Sequence, residues 1–465
     1  MVQLLDLPDE LLLEITHLST PEGIEQFSLC SKDIYALTKD ALESHRYRKR
    51  WGTVNCAPPR NSGEELIRSV HPLRFLADIA LDEVIADYTT ELIVGNPGYE
   101  EAESMRYENR EKRNALHDFG YKFEQWISTE VTSCPYLDDD ETDAWTEKIL
   151  LGDRGPACAI LITLLPNLRS MTITDTSGME TPLGFMVKQI ADASSWGNRT
   201  SPQSLGKLSE VDTNHSDYIT RLEMYAPWVA LPSMRSLRGH TVRGYGFRWE
   251  YSPQISGVTN IRYCYSSISA TSFTELFKGI KALETFTYEG GGYTGDFYEY
   301  VEWDPTGIVA GLLLYAKGSL QKLDITYSKE QDPDDEIYFL VSLDAFEVLR
   351  WVRLDVELLF KTESEAWDVA LPNGYFQEDG LDDYHYGYQA QPLVDILPVS
   401  IETLELVGLL SEKNTASLMA RLPELKPKLV PRLEKIVFEG NCSLDETMVT
   451  ECKNVGIMLE HRNTS

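Results

Sequence analysis

From residue 156 onward one short pattern returns along the chain: apolar, two residues of any kind, apolar, one residue of any kind, apolar. It runs through Leu168/Met171/Ile173, Ile219/Leu222/Met224, Val258/Ile261/Tyr263 and Leu283/Phe286/Tyr288. It continues through Leu320/Leu323/Ile325, Leu349/Val352/Leu354, Ile401/Leu404/Leu406 and Leu433/Ile436/Phe438. The last two apolar positions of each copy are two residues apart, the period of a strand with one buried face. A short apolar stretch of helical character usually precedes each copy, so each predicts one strand and one helix. Weaker strands are expected around 236–242 and 455–459. Spacing varies from 25 residues (Val258 to Leu283) to 52 (Leu349 to Ile401), so insertions separate the units. If the copies stack side by side, the middle residues Leu323, Leu404 and Ile436 should be almost fully buried on parallel strands.

The start of the chain has a different period. The stretch LPDELLLEITHL (7–18) predicts a helix. Pro8 suits a first turn, where its missing N–H is no loss, and Asp9 and Glu10 suit the positive end of the helix dipole. Leu11, Leu12, Ile15 and Leu18 read as one apolar face. Ser19-Thr20-Pro21-Glu22 reads as a stop and a new beginning. A second helix carries Ile24, Phe27 and Leu29. Ser31 can cap a third, with Ile34, Leu37, Ala41 and Leu42 at helical spacing. Three helices this short cannot bury their apolar faces alone, and no metal ligands lie among them, so a partner surface is expected. Residues 52–66, with Pro58, Pro59 and Gly63, read as a linker. From 64 to about 149 the pattern is mostly helical, as in LRFLADIALDEVIADYTTELIV (73–94).

Composition narrows the functional classes. Of 465 residues 42% are apolar, so a folded core is expected. The net charge of −32 opposes nucleic acid and anionic membrane, and favours basic partners if it selects at all. No run of about 18 apolar residues occurs, so no membrane-spanning helix is expected. No cationic leader precedes the first apolar stretch, so no signal peptide is expected either. Seven cysteines, an odd number without a CxxC pair, fit free thiols in a reducing, intracellular compartment, cytoplasmic or nuclear. One stretch, Gly290-Gly291-Gly292-Tyr293-Thr294-Gly295, satisfies GxGxxG. The following DFYEYVEWDP, with its acids and Pro305, is not expected to open a helix, so the stretch reads as a glycine-rich loop. No P-loop, GxSxG or HExxH motif is present. No catalytic residue, cofactor or metal is expected, and the chain does not read as an enzyme. Two insertions, KEQDPDDEIYF and FQEDGLDDYHYGYQ, combine acids with aromatics and could meet a basic segment of a partner.

Two resemblances give these patterns a joint meaning. Leu7-Pro8-Asp9-Glu10-Leu11-Leu12, followed by Ile15 and then Cys30-Ser31-Lys32-Asp33-Ile34-Tyr35, resembles an F-box of the kind found in filamentous fungi. In this chain Ser31, Asp33 and Ile34 depart from the common residues of the second half. The eight copies resemble a degenerate leucine-rich repeat, although the asparagine usual after the strand is mostly absent. The resemblance implies an α/β chain. A three-helix F-box (1–50) precedes a helical linker region (51–150) and a right-handed leucine-rich-repeat-like solenoid (151–465). It also implies a role. The F-box docks a Skp-type adaptor, and through it a cullin–RING ubiquitin ligase. The array holds a protein target, and catalysis is proximity. The adaptor contacts implied are Leu7, Pro8, Leu11, Ile15, Leu18, Phe27, Ile34 and Tyr35. Some of these must instead fill the core of the module. An F-box scaffold acting outside a ligase is the alternative.

Overall fold

The computed structural model describes residues 4–58, 69–95, 119–174, 181–195, 204–213, 220–291, 303–327, 342–362, 388–408, 410–440, 442 and 444–462. Both acidic runs, 330–336 and 378–383, lie outside the described residues, as does most of the glycine-rich stretch beyond Gly291. The chain is mixed α/β with parallel strands, and it divides into two compact units, Met1–Tyr218 and Ile219–Ser465.

The first unit opens with short helices: α1 (Asp9–Leu18), α2 (Ile24–Ser28), α3 (Lys32–Leu37) and α4 (Lys39–Lys49). Where three were expected there are four. The third breaks at Thr38, whose hydroxyl turns back to the Ile34 carbonyl at 2.8 Å and leaves the helical conformation. There follow β1 (Thr53–Asn55), α5 (Pro72–Leu81), α6 (Ile85–Tyr88) and β2 (Glu91–Val94). Then come α7 (Glu124–Thr132), α8 (Asp139–Leu150), α9 (Arg154–Leu164), β3 (Ser170–Ile173), α10 (Pro182–Ser195) and β4 (Glu210–Asp212). Strands β1 to β4 pair in sequence order, all parallel. The stretch read as a linker therefore supplies β1, and the region read as mostly helical supplies β2. Glu91–Val94 is too short for its period to stand out beside two helices.

The second unit begins with β5 (Thr220–Arg221), α11 (Ala226–Ala230), β6 (Ser236–His240), β7 (Val242–Gly244) and β8 (Asn260–Ile268). Next are α12 (Ala270–Lys278), β9 (Thr285–Gly290), α13 (Pro305–Ala316), β10 (Lys322–Tyr327) and β11 (Trp351–Asp355). A small antiparallel pair follows, β12 (Phe360–Thr362) with β13 (Tyr388–Ala390). The unit closes with α14 (Leu393–Ile396), β14 (Thr403–Val407), α15 (Glu412–Leu418), α16 (Leu422–Leu429), β15 (Lys435–Glu439), α17 (Glu446–Asn454) and β16 (Met458–Arg462). Its main sheet runs β6-β8-β9-β10-β11-β14-β15-β16, every pairing parallel.

The recurring pattern and the register agree residue for residue. The middle positions Ile261, Phe286, Leu323, Val352, Leu404 and Ile436 pair across six adjacent strands. Leu323, Leu404 and Ile436 are fully buried, as expected. The last positions form a second buried row: Tyr263, Tyr288, Ile325, Leu354, Leu406 and Phe438. Helices cover this face. Phe273 of α12 meets Phe286 edge-on at 5.2 Å and Tyr288 at 4.8 Å, the arrangement ring quadrupoles favour. One copy departs: Leu222–Met224 is a 3-10 turn rather than a strand, though Leu222 is fully buried. Pro305 departs too. It opens α13 as the first helical residue, with Asp304 accepting from the Gly307 amide at 2.7 Å. The aspartate caps the helix, and proline needs no hydrogen bond there.

Candidate docking surface of the N-terminal helices

The module α1–α4 has a small internal core. Leu12, Ile24, Ile34 and Leu42 are buried, with three hydroxyl residues among them: Thr16, Ser28 and Thr38. Each hydroxyl is satisfied locally. Thr16 Oγ1 donates to the Leu12 carbonyl at 2.8 Å, Ser28 Oγ to Ile24 at 2.7 Å, and Thr38 Oγ1 lies 2.9 Å from Ser28 Oγ. A helix face can thus turn a threonine inward without an orphaned polar atom. Ser31 caps α3, accepting from the Ile34 amide at 3.0 Å.

This packing divides the residues expected to touch an adaptor. Ile34, 1% exposed, belongs to the core and supports the surface rather than forming it. Leu7, Ile15 and Phe27 are half-buried. Pro8 is exposed, and so are Leu11 at 45%, Leu18 at 80% and Tyr35 at 46%. Leu11, Leu12, Ile15 and Leu18 therefore do not share a face. Leu12 and Thr16 point inward, while Pro8, Leu11, Ile15 and Leu18, at helical spacing, line the outer side. Leu29, 78% exposed, adds to the outward apolar surface at the end of α2. An exposed leucine alone means little, but several on one small module make an outward apolar patch.

The back of the module is tied to the rest of the first unit. Arg48 grips Asp82 with two hydrogen bonds, 2.7 and 3.0 Å, and this pairing raises its already high pKa. His45, 3% exposed, lies 2.8 Å from the Tyr88 hydroxyl and 3.2 Å from Glu25. Lys49 bonds Glu25 at 3.0 Å, and Lys49 and His45 together hold that carboxyl below its ordinary range. Arg169 pairs with Glu22, and Trp51 stacks on Phe75 at 5.2 Å. The apolar outer face is thus presented from a fixed support.

Two acids lining a groove of the second unit are engaged within the fold. A groove of about 560 Å³ in the second unit is lined by Arg248, Thr271, Glu275 and Asp304 among others. There Glu275 accepts from the Trp249 amide at 3.2 Å, and Asp304 caps α13. Among the described residues no three His, Cys, Asp or Glu side chains are grouped to hold a metal ion, and no helix is long and apolar enough to cross a membrane. No protein-family model matches the chain, and no curated protein matches it at a significant level.

Proposed function

We propose that the chain is a substrate-recognition subunit of a Skp–cullin–F-box ubiquitin ligase. The helices α1–α3 grip the Skp-type adaptor, and the parallel array receives the target. The observation that carries this reading is the outward apolar face of Pro8, Leu11, Ile15 and Leu18, joined by Leu29 and Tyr35, on a module whose core is already complete without them. A helix face of this kind is suited to a partner's groove. The six-strand register of Ile261 to Ile436 supports the array as stacked, repeat-like units. The N-terminal sequence LPDELL supplies the link to an F-box.

The test is adaptor capture. Leu11→Asp or Ile15→Asp puts a carboxylate into an apolar contact, which costs about 3 kcal/mol or more when the charge stays unpaired. Adaptor binding should drop more than a hundredfold while far-UV circular dichroism stays unchanged. Undiminished adaptor pull-down by both variants rules the docking face out. Co-purification of a cullin with the wild-type chain separates a ligase subunit from a scaffold that holds the adaptor alone.

A further inference from the structure

The apolar stripe of α1 has one border against the core of its module and the other in solvent. Leu12 and Thr16 fill the first. Along the second stand Glu10 and Glu14, both exposed, with the exposed His17 at its end. Glu14 lies one helical turn after Leu11 and one before Leu18, so it stands directly beside the outward leucines. Glu10 lies one turn before Glu14. A surface that covers Pro8, Leu11, Ile15 and Leu18 therefore meets these two carboxylates at its rim.

The fold itself gives little reason for that pair. Residues 4–37 hold seven carboxylate side chains and a single lysine, Lys32. Cations from further along the chain match two of the seven: Arg169 pairs with Glu22, and Lys49 with Glu25. Neither Glu10 nor Glu14 is in an ion pair among the described residues. The helix dipole favours acids in a first turn, which accounts for Asp9, Glu10 and Asp33. It does not account for Glu14, in the middle of α1. Glu10 and Glu14 also stand four residues apart on one helix, a spacing at which like charges repel. A helix tuned only for its own stability would carry a lysine at the second position.

We propose that the partner docked on α1 carries lysine or arginine side chains along the lip of its apolar cleft, placed against Glu10 and Glu14. The inference rests on the reading of this face as the adaptor-docking surface, and it adds two charged contacts to the apolar ones. Rim charges of this kind act on the encounter more than on the lifetime of a complex. They draw the partner in, stay partly solvated once it is bound, and weaken as salt screens them. The leucines hold the partner and the glutamates steer it. The net charge of −32 adds a diffuse field of the same sign, so the test must separate the local pair from the whole.

The test uses the full-length chain and a purified Skp-type adaptor, with association and dissociation followed separately by stopped-flow fluorescence. At low salt the double variant Glu10→Gln/Glu14→Gln should associate about fivefold more slowly than wild type and dissociate at nearly the same rate. The difference should vanish at about 1 M salt, where the screening length falls to about 3 Å. Glu10→Lys/Glu14→Lys should slow association further. Glu446→Gln/Glu451→Gln, on exposed positions of α17, changes the net charge by the same amount and should leave association unchanged. Leu18→Ala should do the reverse of the glutamate variants, speeding dissociation with little effect on association. Thermal melting should show all variants folded. The proposal is overturned if Glu10→Gln/Glu14→Gln associates as fast as wild type, or if the α17 variant slows association equally. An adaptor that does not bind the wild-type chain removes the ligase reading and this inference with it, whereas binding whose rates ignore Glu10 and Glu14 removes this inference alone.

Discussion

Leu11 and Leu12 are neighbours in sequence with opposite roles, and substitutions should separate them. Leu12 is 4% exposed, so Leu12→Ala should cost about 2–4 kcal/mol of stability, read from urea unfolding. Leu18, 80% exposed, should tolerate alanine within about 0.5 kcal/mol and lose adaptor affinity instead. Equal stability losses would mean that Leu18 is covered within the chain. The sequence merged these residues because Thr16 reads as polar, although it turns inward with Leu12 one helical turn earlier. His71 gives a second prediction at this scale. It caps α5, accepting from the Leu73 amide at 3.2 Å. Burial, then Arg154 and Arg74, push its pKa from 6.5 to about 3. The unfolded chain therefore binds a proton that the folded chain refuses between about pH 6.5 and pH 3. Stability contributed by the neutral imidazole is full above that window and is lost as pH falls through it. His71→Asn keeps a capping oxygen and removes the titration. Its unfolding free energy should fall less than that of wild type between pH 7 and pH 5. Parallel falls in the two proteins would show that His71 does not titrate in this way.

At the scale of elements, β14 and β15 end in the same turn. Gly408 and Gly440 follow them at φ of +126° and +127°, a backbone region that side chains rarely enter. The Gly408 amide donates to the Glu439 carbonyl at 2.9 Å, and the Gly440 amide to the Arg462 carbonyl at 3.1 Å. A Cβ at Gly440 would lie 2.4 Å from the Gly408 carbonyl oxygen, so one turn stacks directly on the next. Gly440→Ala should cost about 2–3 kcal/mol, the scale of a strained residue in a turn that cannot relax. Gly246→Ala, at φ +68° with open space around it, should cost about 1 kcal/mol. Similar melting temperatures for the two variants would mean that the stacked turns yield easily. The sequence shows the strands before these turns plainly and the helix starts at Ser31 and Asp304 in part. The serine cap was legible, whereas Asp304-Pro305 sat behind an acidic run that masked it. Strands β1 and β2 stayed hidden because three or four residues beside helices carry too little period to be seen.

For the whole molecule, the lesson is that repetition is more legible than any single element. A motif of three apolar positions is weak evidence once. Repeated, it located strands β3, β8, β9, β10, β11, β14 and β15, and even the register between the last six. What it could not give is which charged side chains bond across the polar face, such as Arg353 with Glu439 two strands away. That depends on the reach and rotamers of long side chains, which no period in the chain records. The same one-dimensional order makes a prediction about cooperativity. Among the described residues each strand from β9 onward bonds only to its neighbours in the row, and β16 closes it with a single partner, β15. Stability in such an array is a sum of unit and neighbour terms, and local opening is graded along it. Ile436→Ala and Leu323→Ala each remove a fully buried side chain from the middle row, so each should cost about 2–5 kcal/mol. Their hydrogen-exchange signatures should differ. The loss at Ile436, one strand from the end, should speed exchange in β15, α17 and β16 and spare the amides of β8 and β9. The loss at Leu323 should speed exchange on both sides of β10. If Ile436→Ala instead raises exchange evenly from β8 to β16, the unit opens as one block and the neighbour-by-neighbour account of its stability is wrong.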